Sequence, residues 1–125
     1  MISAGEILKT LPMYYGTEQY HRIGFPFPKN YVLTDGAKYL ADSADCYWLM
    51  NKIAAHNTKD FRTRNPFQVW ELFVFGNSGV VRCSDGNNND LITEDVEYTD
   101  FPISEIKLYA IDDGTWFVIL LPGEY

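Results

Sequence analysis

The chain has little of what catalytic and metal centres are usually made from. Its 125 residues include two histidines and two cysteines. The cysteines, Cys46 and Cys83, have neither metal-site nor redox-motif spacing, so free, buried, structural thiols are expected. There is no phosphate-cradling glycine loop, no G-x-S-x-G elbow and no pair of histidines at metal-binding spacing. No apolar run approaches the roughly 18 residues of a membrane span. The opening Met-Ile-Ser-Ala-Gly-Glu has neither the basic nor the apolar region of a signal peptide. A cytoplasmic protein without cofactor or metal is expected. Nothing points to an enzyme, although one assembled from scattered residues stays open.

Cations are the next scarcity. Ten Lys and Arg stand against 17 Asp and Glu, a net charge of −7. Binding to phosphate backbones requires a basic surface, so nucleic acid is not an expected partner. The cluster Lys59, Arg62 and Arg64, beside Asp60, is too small a patch to change that. From Cys83 onward ten acids face one base, Lys107, so the two halves of the chain carry −9 and +2. One reading is a solubilising, solvated face. The other is an acidic surface around Glu94, Asp95 and Glu97 that meets a basic protein partner.

Apolar material is plentiful: 46% of residues are hydrophobic and 16% aromatic. That suffices for one domain over 1–125 without disulfide or metal staples. The fold is organised around Asp45–His56, where Cys46, Leu49, Met50, Ile53 and Ala54 follow the i, i+3, i+4, i+7, i+8 spacing of one helix face. Before it, Ser3-Ala-Gly-Glu6 forms a capping box with Ile2 and Ile7 as a hydrophobic staple, predicting a short helix that stops at Pro12. Gly16–Ile23 is expected to hold a short strand. Gly24–Pro28 is a loop that lays Phe25 and Phe27 over the core edge. Thr34 or Asp35 caps a second helix through Ala37, Leu40, Ala41 and Ala44, and Asn57–Pro66 is a polar connector.

The remainder is β. Strands are predicted at Phe67–Phe75, Val80–Ser84, Leu91–Thr99, Ile106–Ile111 and Thr115–Leu121, with turn residues at Gly76–Gly79, Asp85–Asn89 and Asp112–Gly114. The expected class is α+β: an antiparallel sheet of about five strands, two central helices on one face, and a short N-terminal helix. Phe67–Phe75 is apolar on both faces, so the uncovered face needs the N-terminal segment or a second subunit, which makes a homodimer an open reading.

Several stretches carry a family resemblance when taken in order. They are Gly16-Thr-Glu18 with Tyr20-His-Arg22, Leu33–Ala41, Tyr47-Trp-Leu49 with Ile53-Ala54, Phe67-Gln-Val-Trp-Glu-Leu72, Cys83–Gly86, Glu97-Tyr-Thr-Asp-Phe-Pro-Ile103, and the closing Leu120–Tyr125. Together they resemble an uncharacterised family of small bacterial and phage proteins, a domain of unknown function. The likeness runs from about Gly16 to Tyr125 and implies a cytoplasmic single-domain protein, with carriage on mobile elements. It brings no activity, cofactor or catalytic residue. The chain departs from the pattern in its Gly24–Asn30 insert and Asn57–Asn65 connector.

Each candidate for chemistry has a structural counterpart. His56, near Lys52 at a helix C-terminus, suits the helix dipole as well as a general base. His21 is a strand side chain or a pocket residue. A pocket bounded by His21, Asp35, Trp48 and Asp100 is conceivable from residue types alone. Asp85–Asp90 has calcium-ligand types but lacks the spacing and bidentate glutamate of a calcium hand, and turn chemistry accounts for it. The leading expectation is a small non-enzymatic interaction module with an acidic sheet surface. The alternative is a small-molecule-binding domain or enzyme that uses His21 or His56 with nearby carboxylates.

Overall fold

A computed structural model describes residues 2–125. Seven strands form one sheet in the order β1-β2-β7-β6-β3-β4-β5. The strands are β1 (His21–Arg22), β2 (Tyr31–Leu33), β3 (Phe67–Phe75), β4 (Ser78–Ser84), β5 (Asp90–Val96), β6 (Glu105–Asp112) and β7 (Phe117–Leu120). All pairings are antiparallel except β2 with β7. The five C-terminal strands lie where their alternation and turn residues predict. The additional strands at the β1 end come from the N-terminal half. β2 has three consecutive buried residues and no alternation, because it is covered on both faces and its neighbours supply both edges.

Four helices accompany the sheet: α1 (Ala4–Thr10), α2 (Asp35–Ser43), α3 (Tyr47–His56) and α4 (Lys59–Arg64). The Ser3 hydroxyl accepts from Glu6 N, as the capping box requires, and α1 gives way to a 3₁₀ turn through Pro12. Thr34 caps α2 by accepting from Ala37 N. A left-handed Asp45 (φ 52°) then separates α2 from α3. On α3, Leu49, Met50, Ile53 and Ala54 are buried, as is Cys46 just before it, so the predicted stripe is the helix face that meets the sheet. Across from it lie Trp70 and Leu72 of β3, Val81 and Cys83 of β4, and Leu108 and Ala110 of β6.

Two local expectations change. The Asn57–Pro66 connector contains α4, which has only Phe61 to pack against the core and so shows no apolar periodicity. Its order comes from polar chemistry: Thr58 accepts from Phe61 N, and Asp60 pairs with Arg64 at 2.9 Å. Phe27 packs against the core, but Phe25 is fully exposed. The turn after β5 is held by Thr99, whose hydroxyl accepts from Phe101 N, while Asp100 stays exposed.

A buried amide network joins these parts. Gln68 is completely buried, and both ends of its side chain are satisfied. Its Oε1 accepts from Trp70 Nε1 (2.8 Å) and Asn57 Nδ2 (3.2 Å). Its Nε2 donates to Asn57 Oδ1 (2.6 Å) and to the Asn65 carbonyl (2.9 Å). Asn57 also donates to the Ile53 carbonyl, and its own carbonyl accepts from the Tyr31 hydroxyl. One pair of amides thereby ties the end of α3, the end of α4, β2 and β3 together.

The C-terminus closes the other end of α2. Glu124 accepts from Gly36 N (3.0 Å) and the Thr34 hydroxyl (2.6 Å) and sits at the helix N-terminus, where a carboxylate is favoured. Gly36 makes this approach possible, since a Cβ there would lie 2.5 Å from Glu124 Oε1. Tyr125 then folds onto Phe67 and Tyr109, with ring centroids 5.5 and 5.6 Å away. Tyr125 therefore lies on the sheet face away from the helices, whereas α1 sends Ile7 into the helix-side core.

Gln68→Leu leaves the Trp70 N–H and Asn57 Oδ1 unpaired in the core. It should cost about 2–4 kcal/mol and lower the thermal midpoint by roughly 8–15 °C in a calorimetric scan. Glu124→Ala should cost roughly 1–2 kcal/mol through loss of its bonds to Gly36 N and the Thr34 hydroxyl at the start of α2, measured by urea unfolding.

Candidate functional site

A groove of about 830 Å³ runs between the flank of α3 and the edge strand β5, with Pro26 and Phe27 from the β1–β2 loop at its rim. Trp48, Asn51, Lys52, Ala55 and His56 line the helix side. They follow the same i, i+3, i+4, i+7, i+8 spacing as the buried stripe, rotated toward the sheet edge. The strand side is Glu94, Asp95, Val96, Glu97 and Tyr98. Trp48 is half-buried here, while Trp70 is the tryptophan at the helix–sheet interface.

Charge inside the groove is partly internal. Lys52 Nζ lies 2.7 Å from Glu94 Oε2, and His56 Nε2 lies 3.6 Å from the same oxygen. The hydrogen bond from Lys52, helped by His56, holds the Glu94 carboxyl below its ordinary range. With Glu94 compensated by Lys52, the remaining negative charge lies at the rim, on exposed Asp95 and Glu97.

The sequence-selected residues separate into three places. Trp48 and His56 share the groove with Glu94, Asp95 and Glu97. His21 and Asp35 form their own pair at the N-terminus of α2, with Nε2 2.7 Å from Oδ1. Asp35 also accepts from Glu18 N at 2.9 Å, while the Thr17 hydroxyl accepts from Asp35 N. The Glu18 amide first, then His21, lowers the Asp35 pKa. These bonds strap residues 17–21 to the start of α2, which gives His21 a positioning task within the fold. Asp100 stands exposed in the β5–β6 connection.

The remaining charged candidates are largely occupied elsewhere. Arg62 pairs with Asp112 at 3.3 Å and lies over the Tyr31 ring, and Arg64 holds Asp60. Asp85 and Asp113 accept backbone N–H groups of their own turns. The Asn89 side chain, followed by the Asn87 amide, holds Asp85 below its usual pKa, so its carboxylate serves the turn. Among the described residues, no group of three or more His, Cys, Asp and Glu is arranged to hold a metal. No described helix is long and apolar enough to cross a membrane. Cys46 and Cys83 are buried, and burial, with minor help from Asp45 and Asp85 respectively, pushes each thiol up to about 12.

A family model matches residues 5–125. The chain belongs to DUF6876, a family of unknown function. The ordered motifs thus belong to an uncharacterised family. A crystal structure of a protein of unknown function from Enterococcus faecalis is similar at 18% identity and a TM-score of 0.47, covering 86% of this chain and 98% of that one. This relative is bacterial. Comparison with curated proteins finds no match.

Membership in DUF6876 leaves the site to be read from its geometry. Lys52, Asn51 and Tyr98 are groove residues that sequence reasoning did not select. A signal for the first two was present in the second stripe of α3. The contribution of Phe27 depends on how the β1–β2 loop folds back, which residue spacing does not encode.

In the folded protein neither thiol should react with an aromatic disulfide reagent over minutes, and both should react in denaturant; a fast native reaction would contradict their burial. The lowered Asp35 and Glu94 pKa values contribute stability that is fully present above the unfolded carboxylate range of about pH 4. That contribution is lost as pH falls through the lower folded values. A carbon-detected NMR titration should show both carboxyls titrating below exposed carboxyls of their own type.

Proposed function

We propose that the protein is a cytoplasmic, non-enzymatic interaction module whose α3–β5 groove receives a basic segment of a protein partner. The resemblance to phage as well as bacterial proteins supports an accessory role on mobile elements. The observation that carries the reading is that aromatic side chains and uncompensated acids meet along one groove and the strand edge that bounds it. Tyr98 is 70% exposed, Trp48 is half-buried, and Asp95 and Glu97 lie beside them. Other singled-out residues have structural tasks: Gln68 and Trp70 in the core, Thr34 and Gly36 at the α2 cap, and Glu124 in the clasp. Aromatic surface beside unneutralised acid is what a lysine- or arginine-bearing chain would use, through charge attraction and cation–π contact.

A labelled peptide of about ten lysines should bind with strong salt dependence. Asp95→Lys with Glu97→Lys leaves the Glu94–Lys52 pair in place and should weaken that peptide by roughly tenfold or more. Adding Glu94→Lys should abolish binding while the circular dichroism spectrum is retained. Equal binding by wild type and the triple variant would remove the groove as the site.

A second reading rests on the contact among His56, Glu94 and Lys52, which places a base, an acid and a cation in one groove. It describes a small-molecule site. Self-association through the face bearing Phe67, Tyr109 and Tyr125 is the companion proposal for partners. Native mass spectrometry separates them: a retained small mass lost in His56→Ala supports the first, and a bare dimer supports the second.

A further inference from the structure

The sheet ends at β5 on one side and at β1 on the other, and the two edges differ. β1 has two residues, whereas β5 has seven and, among the described strands, pairs only with β4. A strand of that length with one unpaired side is a template on which another extended chain can form main-chain hydrogen bonds. The groove described above lies along this same edge.

The charges of β5 decide what can occupy it. Asp90-Leu-Ile-Thr-Glu-Asp-Val96 contains three acids and no base, and Glu97 follows. A parallel, in-register copy of β5 added to this edge would set carboxylates against carboxylates, which is unfavourable for cross-strand neighbours. A basic strand meets the complementary field. The register defines two faces. Ile92 and Glu94 pair with Cys83 and Val81, whose side chains are buried on the helix side. Asp95 pairs with Val80 and faces the opposite way.

We infer that the partner segment binds as an added β-strand on the free edge of β5, extended and alternating. Its apolar side chains face the α3 flank at Trp48 and Ala55, and its lysines or arginines face the Asp95 side. This rests on the reading of the groove as a basic-segment site and specifies how that segment is held. It also disfavours parallel self-pairing through β5, where like charges would lie opposite one another.

The test uses the intact protein and a labelled ten-residue peptide of alternating lysine and valine. Two twins of this peptide carry backbone N-methyl groups, one on its lysines and the other on its valines. In a strand, alternate N–H groups point to opposite edges, so only one set can bond to β5. Strand addition therefore predicts that one twin loses roughly tenfold or more in affinity while the other stays near the parent. It also predicts slowed amide exchange within β5 on binding the parent. If both twins bind as tightly as the parent, strand addition is overturned and the groove remains an electrostatic site. If the lysine-only peptide binds and the alternating parent does not, strand addition is again overturned. If neither peptide binds, the basic-segment reading falls with it, and the acids of β5 act only to guard a sheet edge.

Discussion

The fold depends on an amide pair held out of water. Gln68 and Asn57 bond to each other and reach a tryptophan N–H and two backbone carbonyls with their remaining valences. Burial raises the cost of every unmade bond in such a network. The end of α3 is consequently confined to one position over β3. Apolar packing alone would favour that helix lying on the sheet while leaving its rotation and slide loosely specified. The network sets both, and with them the distance between the α3 flank and β5.

A second constraint acts at the opposite end of α2. The last residues return to the helix that began at Thr34, and Glu124 supplies the charge that its N-terminus attracts. The bare backbone at Gly36 makes room for this carboxylate. Because β2 leads into α2 and pairs in parallel with β7, the clasp also secures the only parallel junction among the described strands. Segments far apart in sequence thus depend on each other, and many singled-out residues have tasks that involve no ligand.

What remains after those tasks is concentrated at the β5 edge. Aromatic groups without full cover, acids that exceed their local cations and an unpaired strand meet there. The −9 of the C-terminal half overstates this field. Asp112 is spent on Arg62, Asp85 and Asp113 on turns, and Glu124 on α2. The part that acts outward is smaller and more local than a charged half-domain.

Local patterns were legible where one short-range rule governs. The Leu49–Ile53 stripe, the Ser3 and Thr34 caps and the alternation of Phe67–Phe75 each follow from helix geometry, hydrogen-bond reach or sheet pleating within a few residues. They determined the α+β class and the five C-terminal strands. α4 escaped because polar caps and an ion pair, without an apolar stripe, organise it. β2 escaped because its three residues are all buried, covered on both faces, and so show no alternation. The candidate site was legible only as ingredients: Trp48, His56, Glu94, Asp95 and Glu97 were all in view, together with His21, Asp35 and Asp100. Tertiary structure divided them, setting His21 on Asp35 and the first five around one groove. Sequence spacing determines which side chains share an element's face. Which faces meet is decided by strand order and buried hydrogen bonds between distant residues, and those exist only once the chain has folded.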